Sequence, residues 1–231
     1  MRGRTWLLCW CFLSACAPTS LAPSLIRYEP LDPEVGENRL GLRTGPRLSS
    51  ALSKLAAGTL DEDIGTPAPP ELGVALEYTR LQPLIGNFAF HLGVQAEIFY
   101  AIPFPALGAF AGLSHRWQFG SVSIAPAITL RAGSDFGAAL ITSPAASTWG
   151  GDVGLSLSIT ESDVARIGVT PFFALWQSYS PSISRLTTAA FAGAMLFVRF
   201  TQFEILIGLG RVFANNAGWN VPLLGVRTGG N

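Results

Sequence analysis

Hydrophobic and polar residues alternate with period two along most of the chain from Asn38 onward, the pattern of strands whose two faces meet different surroundings. The clearest segment runs from Asn87 to Tyr100. Phe88, Phe90, Leu92, Val94, Ala96, Ile98 and Tyr100 form one face, and Asn87, Ala89, His91, Gly93, Gln95 and Glu97 form the other. The same spacing predicts strands through Leu72–Tyr78, Leu107–Leu113, Val122–Leu130, Val153–Ile159, Ile167–Leu175 and Phe203–Leu209. Fainter ones follow at Arg39–Gly45, Ala189–Phe200 and Asn220–Thr228, so about ten strands are expected. The links near 82–86, 119–120, 161–163 and 201–202 are tight, and the intervening links, near 46–70, 101–106, 133–148, 178–187 and 214–218, are longer. Strict alternation of short and long links is the plan of up-and-down hairpins with turns at one end and loops at the other. Both chain ends then fall at the short-turn end.

Composition turns this pattern toward a membrane. Of 231 residues, 49% are hydrophobic and 13% charged, and the mean hydropathy of +0.38 is high for a soluble domain. Beyond residue 16 no apolar run reaches the length of a spanning helix. High apolarity without such a helix predicts strands closed in lipid, an all-β, transmembrane antiparallel up-and-down β-barrel. The 15 basic and 15 acidic residues are scattered, which leaves no footprint for nucleic acid.

A soluble barrel with an apolar interior would show the same alternation, and the strand charges argue against it. Glu77, Glu97, Arg116, Arg131, Asp152, Arg166 and Glu204, together with His91, fall on the non-apolar faces among small residues. That composition suits a narrow lumen in which a few long charged side chains pair with one another. Aromatic residues cluster by level: Tyr78, Phe88, Trp117, Phe119, Phe200 and Phe203 near the short turns, Tyr100, Trp149, Trp176, Tyr179, Phe213 and Trp219 near the long loops. Two such belts are expected at the two membrane interfaces. Pro126 and Pro171 lie in mid-strand, where each removes a ladder donor and should mark a bulge or a broken pair. Phe213 ends its strand and the chain closes on Gly229-Gly230-Asn231, which keeps open an eight-stranded barrel with the last segment outside. Leucines at 48, 52 and 55 give Leu48–Ala57 helical spacing, as a loop helix or a plug.

The N-terminus has the layout of a secretory signal: Arg2 and Arg4, an apolar stretch from Trp6 to Leu13, then small residues. Leu13-Ser14-Ala15-Cys16 resembles the lipobox of bacterial lipoproteins. The resemblance implies cleavage before Cys16, covalent diacylglyceryl and acyl chains on that cysteine, and, with Ala17 after it, export to the outer membrane. Removal of residues 1–15 takes Arg2, Arg4, Cys9 and Cys11, leaving 13 basic against 15 acidic residues and no second cysteine for a disulfide. The expected organisation is a signal at 1–15, a lipidated N-terminus and Pro/Ser-rich tether at 16–37, and the barrel at 38–231.

Chemistry is thinly represented. His91 and His115 are the two histidines, and no Cys/His cluster, phosphate loop or Gly-x-Ser-x-Gly elbow occurs, so neither cofactor nor metal is expected. Asp135 and Asp152 near the outer rim lack a histidine partner of the kind omptin proteases use, and Ser114-His115 places the two side chains on opposite faces, unlike lipid A deacylases. By pattern over about residues 38–228, the chain resembles small bacterial outer-membrane β-barrel proteins. That resemblance implies contact with outer-membrane lipids, an N-terminus facing the periplasm, and a structural or surface-recognition role, with a surface partner left undefined. A narrow solute channel is the alternative, and an outer-membrane enzyme, protease or lipid A modifying, the second.

Overall fold

The computed structural model describes residues 37–47, 71–98, 106–134, 147–162, 165–180, 185–201, 203–214 and 217–230. Cys16, the tether, Leu48–Ala57 and Tyr100 lie outside them. The strands are β1 (Glu37–Arg47), β2 (Glu71–Pro83), β3 (Phe88–Ile98), β4 (Ala106–His115), β5 (Trp117–Phe119), β6 (Val122–Ser134), β7 (Ser147–Ser162), β8 (Ala165–Ser180), β9 (Arg185–Phe200), β10 (Phe203–Ala214) and β11 (Ala217–Gly230). Neighbouring strands pair antiparallel, except that β4 and β5 both pair with β6 rather than with each other, and β1 pairs with β11, so the sheet closes on itself. The chain's last strand is thus part of the wall, and the eight-stranded alternative does not hold.

β4 and β5 are two pieces of one strand, which makes the closed ring ten-stranded. Ser114↔Ala127 and Trp117↔Ile124 continue a single register along β6, and the interruption falls opposite Pro126. The Arg116 amide donates to the Asn87 carbonyl at 3.0 Å on the β3 side. Alternation then turns the next ladder bond, at His115, toward β6, where Pro126 has no N–H to give. Pro171 acts in the same way. The β7–β8 ladder runs to Gly154↔Phe172 and resumes at Leu157↔Val169, while Pro171 keeps its partner Ala194 on β9. Both prolines break pairing on one side without shifting the register.

Two of the short turns depend on glycine with left-handed backbone, Gly86 (φ 66°) after β2 and Gly120 (φ 58°) after β5. Around the wall the strands climb. A row of directly paired residues starting at Glu37 passes Leu81, His91, Gly112, Thr129, Asp152, Ala174, Phe191, Val212 and Trp219. The β1–β11 register, Arg43 opposite Gly225, carried six residues along β11 to Trp219, arrives twelve residues beyond Glu37. A shear of that size over ten strands tilts them by roughly 40° from the barrel axis.

Burial is inverted relative to a water-soluble fold. Leu130, Leu196, Leu209, Ile207, Val94 and Ile128 are exposed, whereas Arg39, Arg43, Glu77, Arg131, Asp152, Glu204 and Arg227 are buried. The interior is also divided. On β8–β11 it is filled by Phe172, Trp176, Phe191, Met195, Phe197, Leu206, Val212, Val221 and Leu223. The wall from β1 round to β7 carries most of the charge. The small-residue interior expected from sequence is therefore only half of the picture. The glycines have a steric use on the apolar side: Phe197 lies over Gly168, directly opposite on β8, where an added Cβ would come 2.3 Å from the ring. Phe110 covers Gly93 on β3 in the same manner.

Candidate functional site

The buried polar groups of the lumen are the only dense chemistry among the described residues. His91, Thr129 and Asp152 lie on the row that starts at Glu37, and a second row of the tilted sheet holds many of the rest. Starting at the short-turn end, Arg166 on β8 stands opposite Arg199 on β9, Arg199 opposite Glu204 on β10, Glu204 opposite Arg227 on β11, and Arg227 opposite Gly41 on β1. Gly41 then faces Glu77 on β2, and Glu77 faces Gln95 on β3. Period-two spacing alone points these side chains inward, because Leu40, Leu42, Leu76, Tyr78, Ile205 and Val226 take the outer face.

Two clusters form along this ramp. In the first, Arg43 binds Glu77 through Nη2 and Oε1 at 3.2 Å, and the Thr79 hydroxyl donates to the same oxygen at 3.2 Å. Glu204 lies 3.9 Å from Arg39 and 3.8 Å from Arg227, which places one carboxylate between two guanidinium groups. In the second, Arg131 Nε donates to Asp152 Oδ2, Arg131 Nη1 to Gln95 Oε1 at 3.4 Å, and the guanidinium rests 5.2 Å from the Phe110 ring centroid. His91 Nε2 is 3.1 Å from Thr129 Oγ1, on the neighbouring side of the same cluster. Side chains from β3, β4 and β7 thus converge on one arginine of β6. Desolvating such charges is costly, and close opposite charges with added hydrogen bonds are what offset it.

Of the residues expected in the lumen, Glu77, His91, Arg131, Asp152 and Glu204 are buried there. Arg166 is half-buried and donates to Thr160 Oγ1 at 3.2 Å. Arg116 does not join them: it sits at the β4–β5 break, and its guanidinium donates to Gln118, whose amide donates to the Gly120 carbonyl. Glu97 pairs through its backbone with Ala75 and Ala106, and its side chain lies outside the described residues. Sequence reasoning missed Arg39, Arg43, Arg199 and Arg227. The signal was present, since each alternates with outward Leu, Val or Phe neighbours.

Six aromatic residues of the short-turn belt, Tyr78, Phe88, Trp117, Phe119, Phe200 and Phe203, are exposed on the outer face, as are Trp149, Tyr179 and Phe213 near the long loops. Tyr78 donates to Asn38 Oδ1 at 2.8 Å and Trp149 Nε1 to Gln177 Oε1 at 3.1 Å. Trp176 and Trp219 correct the expectation. Trp176 is 1% exposed and packs inside with Phe191 at 5.8 Å between centroids, and Trp219 is packed against the same interior cluster. Level along the barrel put them near the loops, but strand parity turns both inward. His115 takes the outer face between Phe88 and Trp117, with centroids 4.3 and 4.6 Å away, while Ser114 points inward and donates to the Ala89 carbonyl. Serine and histidine are therefore held on opposite faces.

No group of three or more His, Cys, Asp or Glu among the described residues is placed to hold a metal ion. The geometry defines a closed ten-stranded antiparallel β-barrel with a side-chain-filled, ion-paired interior. No family model matches the sequence, and no curated protein matches it. A solved structure described as "Asymmetric conductivity of engineered proteins" aligns with 84% of this chain and 98% of its own, at 6% identity and a TM-score of 0.17. A superposition that loose carries no argument.

Proposed function

We propose that this chain is an outer-membrane β-barrel lipoprotein with a structural or surface-recognition role. The single observation that supports it best is the outer surface, where aliphatic side chains cover the wall between two levels of aromatic residues while Arg39, Arg43, Glu77, Arg131, Asp152, Glu204 and Arg227 are withdrawn inside. A water-soluble monomer rarely exposes a continuous apolar surface of more than a few hundred Å². Outer-membrane lipids are the partners such a wall fits. In this reading the short turns face the periplasm, Cys16 is anchored by its acyl chains in the inner leaflet, and the long loops form the recognition surface.

The filled interior favours a scaffold over a narrow channel. Trp176, Phe191, Phe197 and Leu206 on one side and the Arg131–Asp152 and Arg43–Glu77 pairs on the other occupy the space a solute would need. An enzymatic role finds less support. The His91–Thr129 contact is buried among these groups, and His115 is packed between aromatic rings on the outer face.

The test uses the full chain expressed in a Gram-negative host. The outer-membrane fraction should contain a protein that migrates differently on a detergent gel before and after boiling. It should also incorporate labelled palmitate, and Cys16→Ser should lose the label. A soluble, heat-insensitive product would overturn the barrel-in-membrane reading, and a Cys16→Ser protein labelled like the wild type would overturn the anchor.

A further inference from the structure

The described charges on the outer wall are of one sign. The acidic side chains among those described, Glu77, Asp152 and Glu204, are all buried inside, whereas Arg80 and Arg211 are exposed. Both arginines face outward by strand parity: Arg80 lies two residues beyond outward Tyr78 on β2, and Arg211 lies between outward Leu209 and Phe213 on β10. They stand at opposite levels, Arg80 near the short turns and Arg211 near the long loops. Each has an exposed asparagine directly across the ladder, Asn38 on β1 for Arg80 and Asn220 on β11 for Arg211. Directly opposed residues hold their Cβ atoms about 5 Å apart, so a guanidinium and a carboxamide sit side by side at both levels. The Tyr78 hydroxyl donates to Asn38 Oδ1 at 2.8 Å, which occupies the amide oxygen and leaves the NH2 group to donate. The Arg211 guanidinium rests 5.5 Å from the Phe213 ring centroid and leans toward the long loops across Gly218, where an added Cβ would come 2.8 Å from Nε.

The heights of the two pairs match a bilayer. Gly230 stands opposite Asn38, and ten residues of β11 separate it from Asn220. At about 3.3 Å per residue and a tilt of roughly 40°, less a climb of about 3 Å per strand along the paired rows, the pairs are roughly 20 Å apart along the axis. The long arginine stems reach several Å further at each end, which brings the guanidinium groups to the edges of the apolar band, about 25 Å tall, of a membrane barrel. We infer that Arg80–Asn38 and Arg211–Asn220 are two lipid-phosphate sites, one in each leaflet. A guanidinium keeps its charge on such a wall, and phosphate is the anion that lipids present at that depth. The arginine fork matches two phosphate oxygens at once, and the neighbouring carboxamide adds a further donor. Held at both levels, the barrel is fixed in depth between the two phosphate planes. The inference rests on the membrane reading proposed above and adds which lipid group is recognised, and by which residues.

The experiment measures folding of the full chain, by urea titration, into vesicles of two lipids without net charge. Phosphatidylcholine carries a phosphate, and digalactosyldiacylglycerol carries none. Arg80→Gln and Arg211→Gln should each lower the folding equilibrium constant about tenfold in phosphatidylcholine and by about twofold or less in the galactolipid. Arg80→Lys and Arg211→Lys, which keep the charge and lose the fork, should fall between wild type and the glutamine variants. Asn38→Ala should show the same lipid dependence at smaller size. Both glutamine variants should stay folded in maltoside micelles, because neither side chain belongs to the interior. Equal losses in the two lipids, or no loss in phosphatidylcholine, would overturn the phosphate sites while leaving the wall in lipid, and a lipid-dependent loss at one arginine alone would overturn the other site. A wild-type chain that enters neither kind of vesicle would overturn the membrane reading itself, and the sites with it.

Discussion

At the scale of single residues, the lumen is governed by pairing rather than by charge count. Arg131 and Asp152 are both buried and joined directly, so removing one leaves the other's charge without its main counterweight. Asp152→Ala should destabilise the barrel by about 3–5 kcal/mol, as expected for half of a buried pair. The double variant Asp152→Val with Arg131→Met should recover most of that loss, because well-packed apolar replacements of a buried pair are often neutral. Urea titration followed by tryptophan fluorescence in a fixed detergent measures both. Equal stability of the single and double variants would show that the pair is not the unit that matters. These positions were legible in sequence because each sits on the polar face of a strongly alternating strand. Arg39, Arg43 and Arg227 were not placed in the lumen because their strands alternate more weakly.

At the scale of elements, alternation and turn spacing made the strand plan readable, including the two prolines that interrupt it. The facing of β8 was harder. Phe172-Phe173-Ala174-Leu175-Trp176 is apolar on both sides, so hydrophobicity marks the strand without saying which side meets lipid. Only the parity carried from Ile167, exposed, separates outward Phe173 and Leu175 from inward Phe172 and Trp176. The placement of Trp176 in a belt failed because level along the axis and facing are independent coordinates. Pro126 offers a sharper test of element-level reasoning. In Pro126→Val the new amide should donate to the His115 carbonyl, joining β4 and β5 into one strand and adding about 0.5–1.5 kcal/mol of stability. Hydrogen exchange should slow at His115, and the new amide at position 126 should be protected, while the β3-side bond of Arg116 is unchanged. Unaltered exchange would mean that the break has another cause, such as the tight turn at Gly120.

At the scale of the whole molecule, closure, inverted burial and the divided interior bear on one question, which solvent the outer wall meets. A closed ring leaves no unpaired sheet edge, so every strand is limited only by its faces, and the outer face is mostly apolar, aliphatic between the two aromatic levels. Ile207 lies midway along β10 between Phe203 and Phe213, which mark the two aromatic levels, and it is 56% exposed. If lipid covers that face, Ile207→Arg puts a charge near the bilayer midplane and should cost about 2–4 kcal/mol in a folding titration into phospholipid vesicles. The same substitution at the outer level, Phe213→Arg, should cost only about 0–1 kcal/mol. In water the prediction reverses, since a charge on an exposed apolar surface relieves aggregation and leaves folding nearly unchanged. The difference between the two positions isolates membrane depth, because both lie on the same strand and the same face. A loss at Ile207 exceeding that at Phe213 by a few kcal/mol identifies lipid as the solvent of the wall, and equal small losses at the two sites identify water.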